Sequence, residues 1–232
     1  DYDFEGSNLS IIIDALAYNT YTTAYNTNMA ANECFLDSAT LRENVVSLAR
    51  NIGYVPRSRR SARARISFTV DGLIETSTLT INSGLICNGA GNNTNYIFSI
   101  PEDITVPVVN GVAEFNNVEI YEGSYISQNF TVDTSLFNQR YILDNSSIDT
   151  STIKVKVSPS ASSSAVVTYK QIENIVGVTS TSSSYLLQEI EDERYELIFG
   201  DNVIGKKLSN DNFIEVTYIV TDGRDGNGAS EF

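Results

Sequence analysis

The period of the hydrophobic residues changes near residue 60, and this change limits the folds open to the chain. Before that point, apolar residues recur every three or four positions, as on one face of an α-helix. Beyond it, apolar and polar residues alternate as in half-buried strands, for example at Ile66, Phe68 and Val70. Helices followed by strands are typical of the α+β class. The sequence therefore predicts an N-terminal helical hairpin, a β-rich middle domain and a C-terminal antiparallel strand pair.

The first helix is predicted to begin after a cap at Ser7 or Asn8. Its aliphatic residues fall on one face, namely Leu9, Ile12, Ile13, Leu16 and Ala17. Tyr18, Tyr21 and Tyr25 form a stripe that we expect next to this face. Tyrosine is common both at the edge of a core and in interfaces, so both roles stay open for the three residues.

A second helix is predicted from about Ser38, with Gly53 as its C-terminal cap and Pro56 shortly beyond. Because the connection is short, the two helices are expected to pack as an antiparallel pair within residues 1–60.

Short strands separated by turn residues are predicted for the β-rich domain at residues 61–180. Asp71-Gly72 and Asn110-Gly111 are dipeptides typical of tight hairpin turns. Two further strands, "YELIFG" and "FIEVTYIVT", lie within residues 181–232. We expect these two strands to pair with each other and to pack back on the helical region.

The composition argues against several classes of function. Lys and Arg number 15 against 29 Asp and Glu, and the net charge of −14 disfavours binding to nucleic acid or anionic lipid. Histidine is absent, which removes the commonest general base and the commonest metal ligand. We therefore predict no enzyme activity, catalytic residue, metal or cofactor, and neither a nucleic-acid nor a membrane partner.

The stretch "GDNVIGKK" at residues 200–207 resembles a phosphate-binding loop, which would make the chain a nucleotide hydrolase. That loop needs a following helix and a hydroxyl that holds Mg²⁺. Lys207 stands where the hydroxyl is required, and a strand pattern follows instead of a helix. A loop between two strands is therefore the preferred interpretation, and the hydrolase is kept as a remote alternative.

A cluster of arginines lies between the helical and the β-rich parts, comprising Arg57, Arg59, Arg60, Arg63 and Arg65. Guanidinium groups bind carboxylates with two parallel hydrogen bonds, which suits an acidic neighbouring subunit. The sequence favours such a protein interface over nucleic acid, while a merely solvated linker is an equal alternative. The candidate interface residues are Arg57, Arg59, Arg60 and Arg63 together with Tyr18, Tyr21 and Tyr25.

Two long stretches resemble known phage proteins. The segment from Phe4 to Ala62, with "AYNT", "NECFLD" and "GYVPRS", resembles the baseplate wedge subunit of T-even-like contractile-tailed phages. A second stretch, from Tyr195 to Asn227, resembles the signature turn of the wider baseplate J-like family. Its matching residues are Phe199, Gly200, Asp201, Gly205, Lys206, Gly226 and Asn227.

The resemblance implies a structural subunit that self-associates into a dimer or ring and binds other wedge proteins around a central hub. It also implies a place in the virion tail baseplate, after assembly in the bacterial host cytoplasm. The chain begins at Asp1 and ends after a glycine-rich turn, so we expect a segment of a longer protein. The alternative is a carbohydrate-binding or adhesin-like β-module, suggested by the Ser, Thr and Asn content of the strands.

Overall fold

The computed structural model describes residues 8–51, 58–74, 76–91, 94–172, 176–229 and 232. The chain divides into two compact units, Asp1–Pro56 and Arg57–Phe232. The first is helical and the second is built from β-strands, so an N-terminal helical part followed by a β-rich body is confirmed. The finer division at residues 60 and 180 stays a prediction, as does the packing of residues 181–232 on the helical region.

The helical unit contains a long helix, α1 (Asn8–Glu33), and a short one, α2 (Arg42–Asn51). Threonine hydroxyls in α1 donate to the carbonyl four residues earlier, as from Thr20 to Leu16 at 2.8 Å. This bonding satisfies the hydroxyls without interrupting the helix. Neither described helix is long and apolar enough to cross a bilayer.

A single carboxylate, Glu33 at the end of α1, organises the start of α2. Its two oxygens accept hydrogen bonds from the Thr40 amide at 2.9 Å, the Leu41 amide at 3.3 Å and the Asn44 side chain at 2.8 Å. The last carboxylate of one helix thus binds the free amide groups at the N-terminus of the next. Consequently α2 begins at Arg42 and not near Ser38.

The expected face-to-face packing of the two helices differs from what is found. Val46 and Ala49 of α2 are buried, but the aliphatic side chains of α1 remain exposed, and so does Leu41. The proposed cap at Gly53 and Pro56 lies outside the described residues. The hairpin prediction therefore holds for the order of the helices and not for the burial of the apolar face of α1.

Six strands form the first sheet of the β unit. Five follow the order β2-β5-β6-β4-β3, and β1 pairs with the edge of β6 that lies opposite β4 and β5. Their bounds are β1 (Arg63–Val70), β2 (Thr78–Ile81), β3 (Gly84–Gly91), β4 (Thr94–Ile100), β5 (Ile104–Val109) and β6 (Val112–Glu122). The core of this sheet contains the fully buried Phe98, Ile100, Phe115 and Ile120.

One of the two predicted hairpin turns in this sheet is confirmed. Asn110 and Gly111 both have positive φ, 53° and 77°, and they join β5 to β6. The hairpin predicted at Asp71-Gly72 is wrong, because β1 pairs with β6 and β2 with β5. The Leu73 amide donates to the Gly111 carbonyl at 3.0 Å, so the chain leaves β1 towards the neighbouring turn instead of folding back.

The second sheet contains seven strands in the order β7-β13-β9-β10-β11-β12-β8. Their bounds are β7 (Ser124–Thr131), β8 (Tyr141–Leu143), β9 (Ile148–Ser158), β10 (Val167–Gln171), β11 (Ser184–Glu189), β12 (Tyr195–Phe199) and β13 (Phe213–Val220). Its two edges approach each other, since the Gln128 side chain of β7 donates to the Ile142 carbonyl of β8 at 3.1 Å. The sheet therefore curls towards a closed barrel around its apolar core.

The predicted C-terminal strand pair is corrected by this topology. Strands β12 and β13 belong to one sheet but are separated by β9, β10 and β11. β13 pairs with β7 and β9, and β12 pairs with β11 and β8. The physical reason is burial: most of β13 is buried on both faces, including Ile214, Val216 and Ile219, so it requires a neighbour on each side.

The Glu33 cap leads to a prediction about acid. Hydrogen bonds from Asn44 and Thr40 lower the pKa of Glu33 from 4.5 to about 2. A lowered pKa contributes stability that is present above pH 4.5 and is lost as the pH falls towards 2. We expect the protection of the Thr40 and Leu41 amides, measured as exchange relative to the intrinsic rate at each pH, to fall across this window, and to be low in Glu33→Ala already at pH 7. Asp14→Asn, which removes another carboxylate of α1, is the control, and equal exchange in both variants would contradict the cap.

Candidate assembly interface

Helix α1 exposes many apolar side chains to solvent. Tyr18 and Tyr21 are 73% and 71% exposed, and Ile11 is 65% exposed. Asp14 and Glu33 are the only charged residues among the 26 of this helix. A helix with so little charge and so many exposed apolar side chains is typical of one that is covered by other protein.

The tyrosine and aliphatic residues of α1 lie on different sides of the helix. At about 100° per residue, Tyr18, Tyr21 and Tyr25 project roughly opposite the face that carries Leu9 and Leu16. The expected adjacency of the two stripes is therefore corrected. Because the three tyrosines are exposed, they are not part of a core among the residues that the structure describes.

The arginine cluster is partly engaged within the chain. Arg59 lies 3.6 Å from the Glu193 carboxylate, and Arg63 lies 3.8 Å from Glu119. The Arg63 guanidinium also covers the ring of Tyr121, 4.8 Å from its centroid. Arg60 is exposed, whereas Arg57 lies outside the described residues. Their role as an interface stays a prediction.

The loop at residues 200–207 uses its own amide groups and leaves no cradle for a phosphate. The amides of Val203 and Ile204 donate to the Asp201 carboxylate at 2.9 and 3.0 Å, which also lowers the pKa of Asp201. The amide of Lys207 donates to the Asn202 side chain at 2.9 Å. No helix follows before β13 begins, so the geometry supports the loop interpretation and not the nucleotide hydrolase.

The glycines at the start of the signature turn allow two backbone segments to touch. A Cβ atom on Gly200 would lie 2.1 Å from the carbonyl carbon of Gly205, which is closer than any side chain tolerates. Gly205 itself has a φ of 83°, a conformation that favours glycine. Phe199 packs its ring against Tyr141 with centroids 5.4 Å apart. These signature residues therefore shape the loop and its attachment to the core.

The second half of the signature turn packs on a buried carboxylate that sequence reasoning missed. Glu122, at the end of β6, is 2% exposed and accepts a hydrogen bond from the Thr221 hydroxyl at 2.5 Å. A Cβ atom on Gly226 would lie 2.5 Å from the Glu122 Cγ atom, so only glycine fits there. Asn227 follows as the cap of the 3₁₀ turn Gly223–Gly226. A lone acid at the end of a strand is too ordinary a pattern to have revealed this contact.

A cavity of about 340 Å³ adjoins the loop at residues 200–207. Several of its polar groups are already bonded within the chain: Glu196 accepts from Arg140 at 2.7 and 2.8 Å, and Gln139 accepts from the Asp133 amide at 2.9 Å. Carbohydrate recognition needs polar groups that are free to bind hydroxyls. The cavity therefore does not favour the carbohydrate-binding alternative.

The contact between Glu122 and Gly226 predicts a non-additive pair of substitutions. Gly226→Ala is expected to reduce the free energy of unfolding by about 1–3 kcal/mol, because the new methyl group collides with Glu122. Glu122→Ala removes the colliding atoms, so in that background Gly226→Ala should reduce the free energy of unfolding by less. Urea unfolding of the two single variants and the double variant measures the difference. Additive effects would show that the two residues do not touch.

Glu122 also predicts a dependence of stability on pH. Burial raises its pKa above the ordinary value of 4.5, although hydrogen bonds from Thr221 and neighbouring amides oppose the shift. A raised pKa means that stability present below pH 4.5 is lost as the pH rises through the folded-state value. The free energy of unfolding of Glu122→Gln relative to the unmodified chain should therefore increase from pH 4 to pH 8. Glu114→Gln, an exposed change on the same strand, is the control, and a flat difference would contradict the prediction.

Two comparisons relate the chain to proteins of known name. Residues 1–54 match the family described as "Baseplate wedge protein gp6-like, helical domain". The whole chain is 28% identical, over 253 aligned positions, to the baseplate wedge protein gp6 of Enterobacteria phage T4. The match covers all of this chain and 37% of that relative, so the chain spans about a third of the relative's length. Both similarities support a relationship to the baseplate wedge proteins of phages.

Proposed function

We propose that this chain is part of a structural subunit of a phage tail baseplate wedge. In this role it associates with a second copy of itself and with other wedge proteins, and the assembled copies form a ring around the central hub. The subunit resides in the virion tail baseplate and is assembled in the bacterial host cytoplasm. The similarity to the T4 wedge protein over the full length of the chain supports this proposal.

The structural observation that carries the proposal is the uncovered surface of α1. Nine large apolar side chains between Leu9 and Met29 are at least 38% exposed on this helix. Burying apolar surface stabilises by about 25 cal/mol per Å², so such a helix gains most when other protein covers it. Tyrosine is also enriched among residues that dominate binding energy. An assembly subunit requires such an exposed apolar helix, whereas a free carbohydrate-binding β-module does not.

The arrangement of residues around α1 further indicates more than one neighbour. The tyrosines near the middle of the helix and the aliphatic residues near its start point to different sides, so one flat partner cannot cover both. A second copy of the chain on one side and another wedge protein on the other satisfy both faces. The signature turn supports a wider kinship with the baseplate J-like family, which we retain as part of the proposal.

The experiment is co-expression of the chain with neighbouring wedge proteins, followed by light scattering to measure the mass of the complex. Replacing Tyr18, Tyr21 and Tyr25 together by serine should weaken association about tenfold or more, because each exposed tyrosine is a candidate binding residue. Circular dichroism verifies that the helix remains.

Phe137→Ser is the matched control, because Phe137 is 93% exposed on the β unit, away from α1 in sequence. It should leave the mass of the complex unchanged. A chain that stays monomeric both alone and with its neighbours would remove the basis of the assembly proposal. A complex that forms equally well with the triple variant would instead move the interface away from the tyrosines.

A further inference from the structure

Among the described residues, strand β1 pairs with another strand on one side only. It pairs with β6 from Arg63 opposite Tyr121 to Val70 opposite Ala113. Strands β4 and β5 occupy the other side of β6, and within the described part of the chain no strand pairs with the outer edge of β1. The amide and carbonyl groups on such an edge form a template for another strand.

The edge of β1 is regular over its eight residues. The register changes between Ile66, opposite Val118, and Phe68, opposite Phe115, so the additional residue of this bulge belongs to β6. A bulge in an edge strand commonly discourages pairing, and β1 itself has none. Its geometry is therefore suited to receiving an added strand.

The two faces of β1 have opposite character. Arg63, Arg65, Ser67 and Thr69 are exposed on one face. The other face carries Ala64, Ile66, Phe68 and Val70, which pack against the core of the first sheet yet remain only half-buried. An added strand with apolar residues on this side would complete their burial.

Two arginines of the cluster lack an ion-pair partner among the described residues. Arg59 and Arg63 pair with Glu193 and Glu119. Arg60 and Arg65 form no ion pair with any residue that the structure describes. The chain has a net charge of −14, but these two guanidinium groups make the local charge positive, and a positive charge attracts carboxylates.

We propose that the outer edge of β1 is a strand-addition site for an extended acidic segment of a neighbouring protein. The segment alternates acidic with apolar residues: a carboxylate faces Arg65 on the exposed face, and its apolar side chains cover Ile66 and Phe68. Side chains directly opposite each other on paired strands lie about 5 Å apart, within reach of an arginine–carboxylate bond. This inference rests on the proposed assembly function and adds a surface separate from α1.

The donor and acceptor pattern of the edge favours an acidic protein segment over single-stranded nucleic acid. A phosphate backbone can accept hydrogen bonds from the amide groups of β1, but it has no N–H donors for the carbonyl groups, so it cannot pair as a strand does. The arginines have one simpler explanation, which is that charged residues on an edge strand prevent unwanted pairing. The experiment separates these cases.

The test uses the 232-residue chain and a labelled eight-residue peptide that alternates glutamate with valine. Fluorescence anisotropy should show saturable binding, and Arg65→Glu should weaken it about tenfold or more, because an attraction becomes a repulsion. A peptide with lysine in place of glutamate should bind Arg65→Glu more tightly than it binds the unmodified chain. Lys170→Glu makes the same kind of charge reversal on β10 and should leave binding of the glutamate peptide nearly unchanged.

Peptide backbone chemistry provides the decisive control. Methylation of alternate peptide nitrogens removes donors from the pairing edge without changing charge, so it should abolish binding if a strand is added. Equal binding of the methylated peptide, or of an oligonucleotide of the same charge, would overturn strand addition. An absence of binding would identify the arginines as protection of the edge. Peptide binding is also measured with the variant in which Tyr18, Tyr21 and Tyr25 are serine. Because that variant changes only α1, its result separates a failure of strand addition at β1 from a failure of the α1 interface.

Discussion

The geometry of the β unit depends on the contacts around Gly123, the single residue between the last strand of the first sheet and the first strand of the second. Its amide donates to the Ile97 carbonyl at 2.8 Å, and its carbonyl accepts from the Ser99 hydroxyl at 2.8 Å. A Cβ atom there would lie 2.3 Å from the Val220 carbonyl oxygen. With Glu122 bound to Thr221 beside it, this junction holds the two sheets together through buried polar contacts.

The interior of the β unit contrasts with the surfaces proposed for assembly. Within the β unit, the exposed loop at residues 200–207 and the buried carboxylates Glu122 and Asp149 bind donors from their own chain. Outside, α1 presents apolar side chains to water, and β1 presents an unpaired edge flanked by arginines. A body whose buried carboxylates are bonded internally, together with a helix and a strand edge that no other described residues cover, is the combination expected of a part in a larger assembly.

Local patterns in the sequence predicted much of this structure. The helical period before residue 60 and the alternation after it correspond to helices and strands, and Asn110-Gly111 forms the expected turn because both residues adopt positive φ. The role of the arginines and tyrosines as interface residues stays a prediction. These local patterns did not predict which distant strands pair with each other. Asp71-Gly72 is an equally good turn sequence, yet β1 and β2 join different neighbours.

By itself the sequence determined the class of each element, the absence of histidine, the acidic charge and the resemblance to wedge proteins, because these depend only on residue type and spacing. Tertiary structure alone decided which strands pair, that β13 is central, and that Glu122 packs on Gly226. It also decided that α1 is uncovered and that two arginines of the cluster lack ion-pair partners within the described residues. The reason is physical: burial and strand pairing depend on contacts between residues far apart in the chain, and no local period records those contacts.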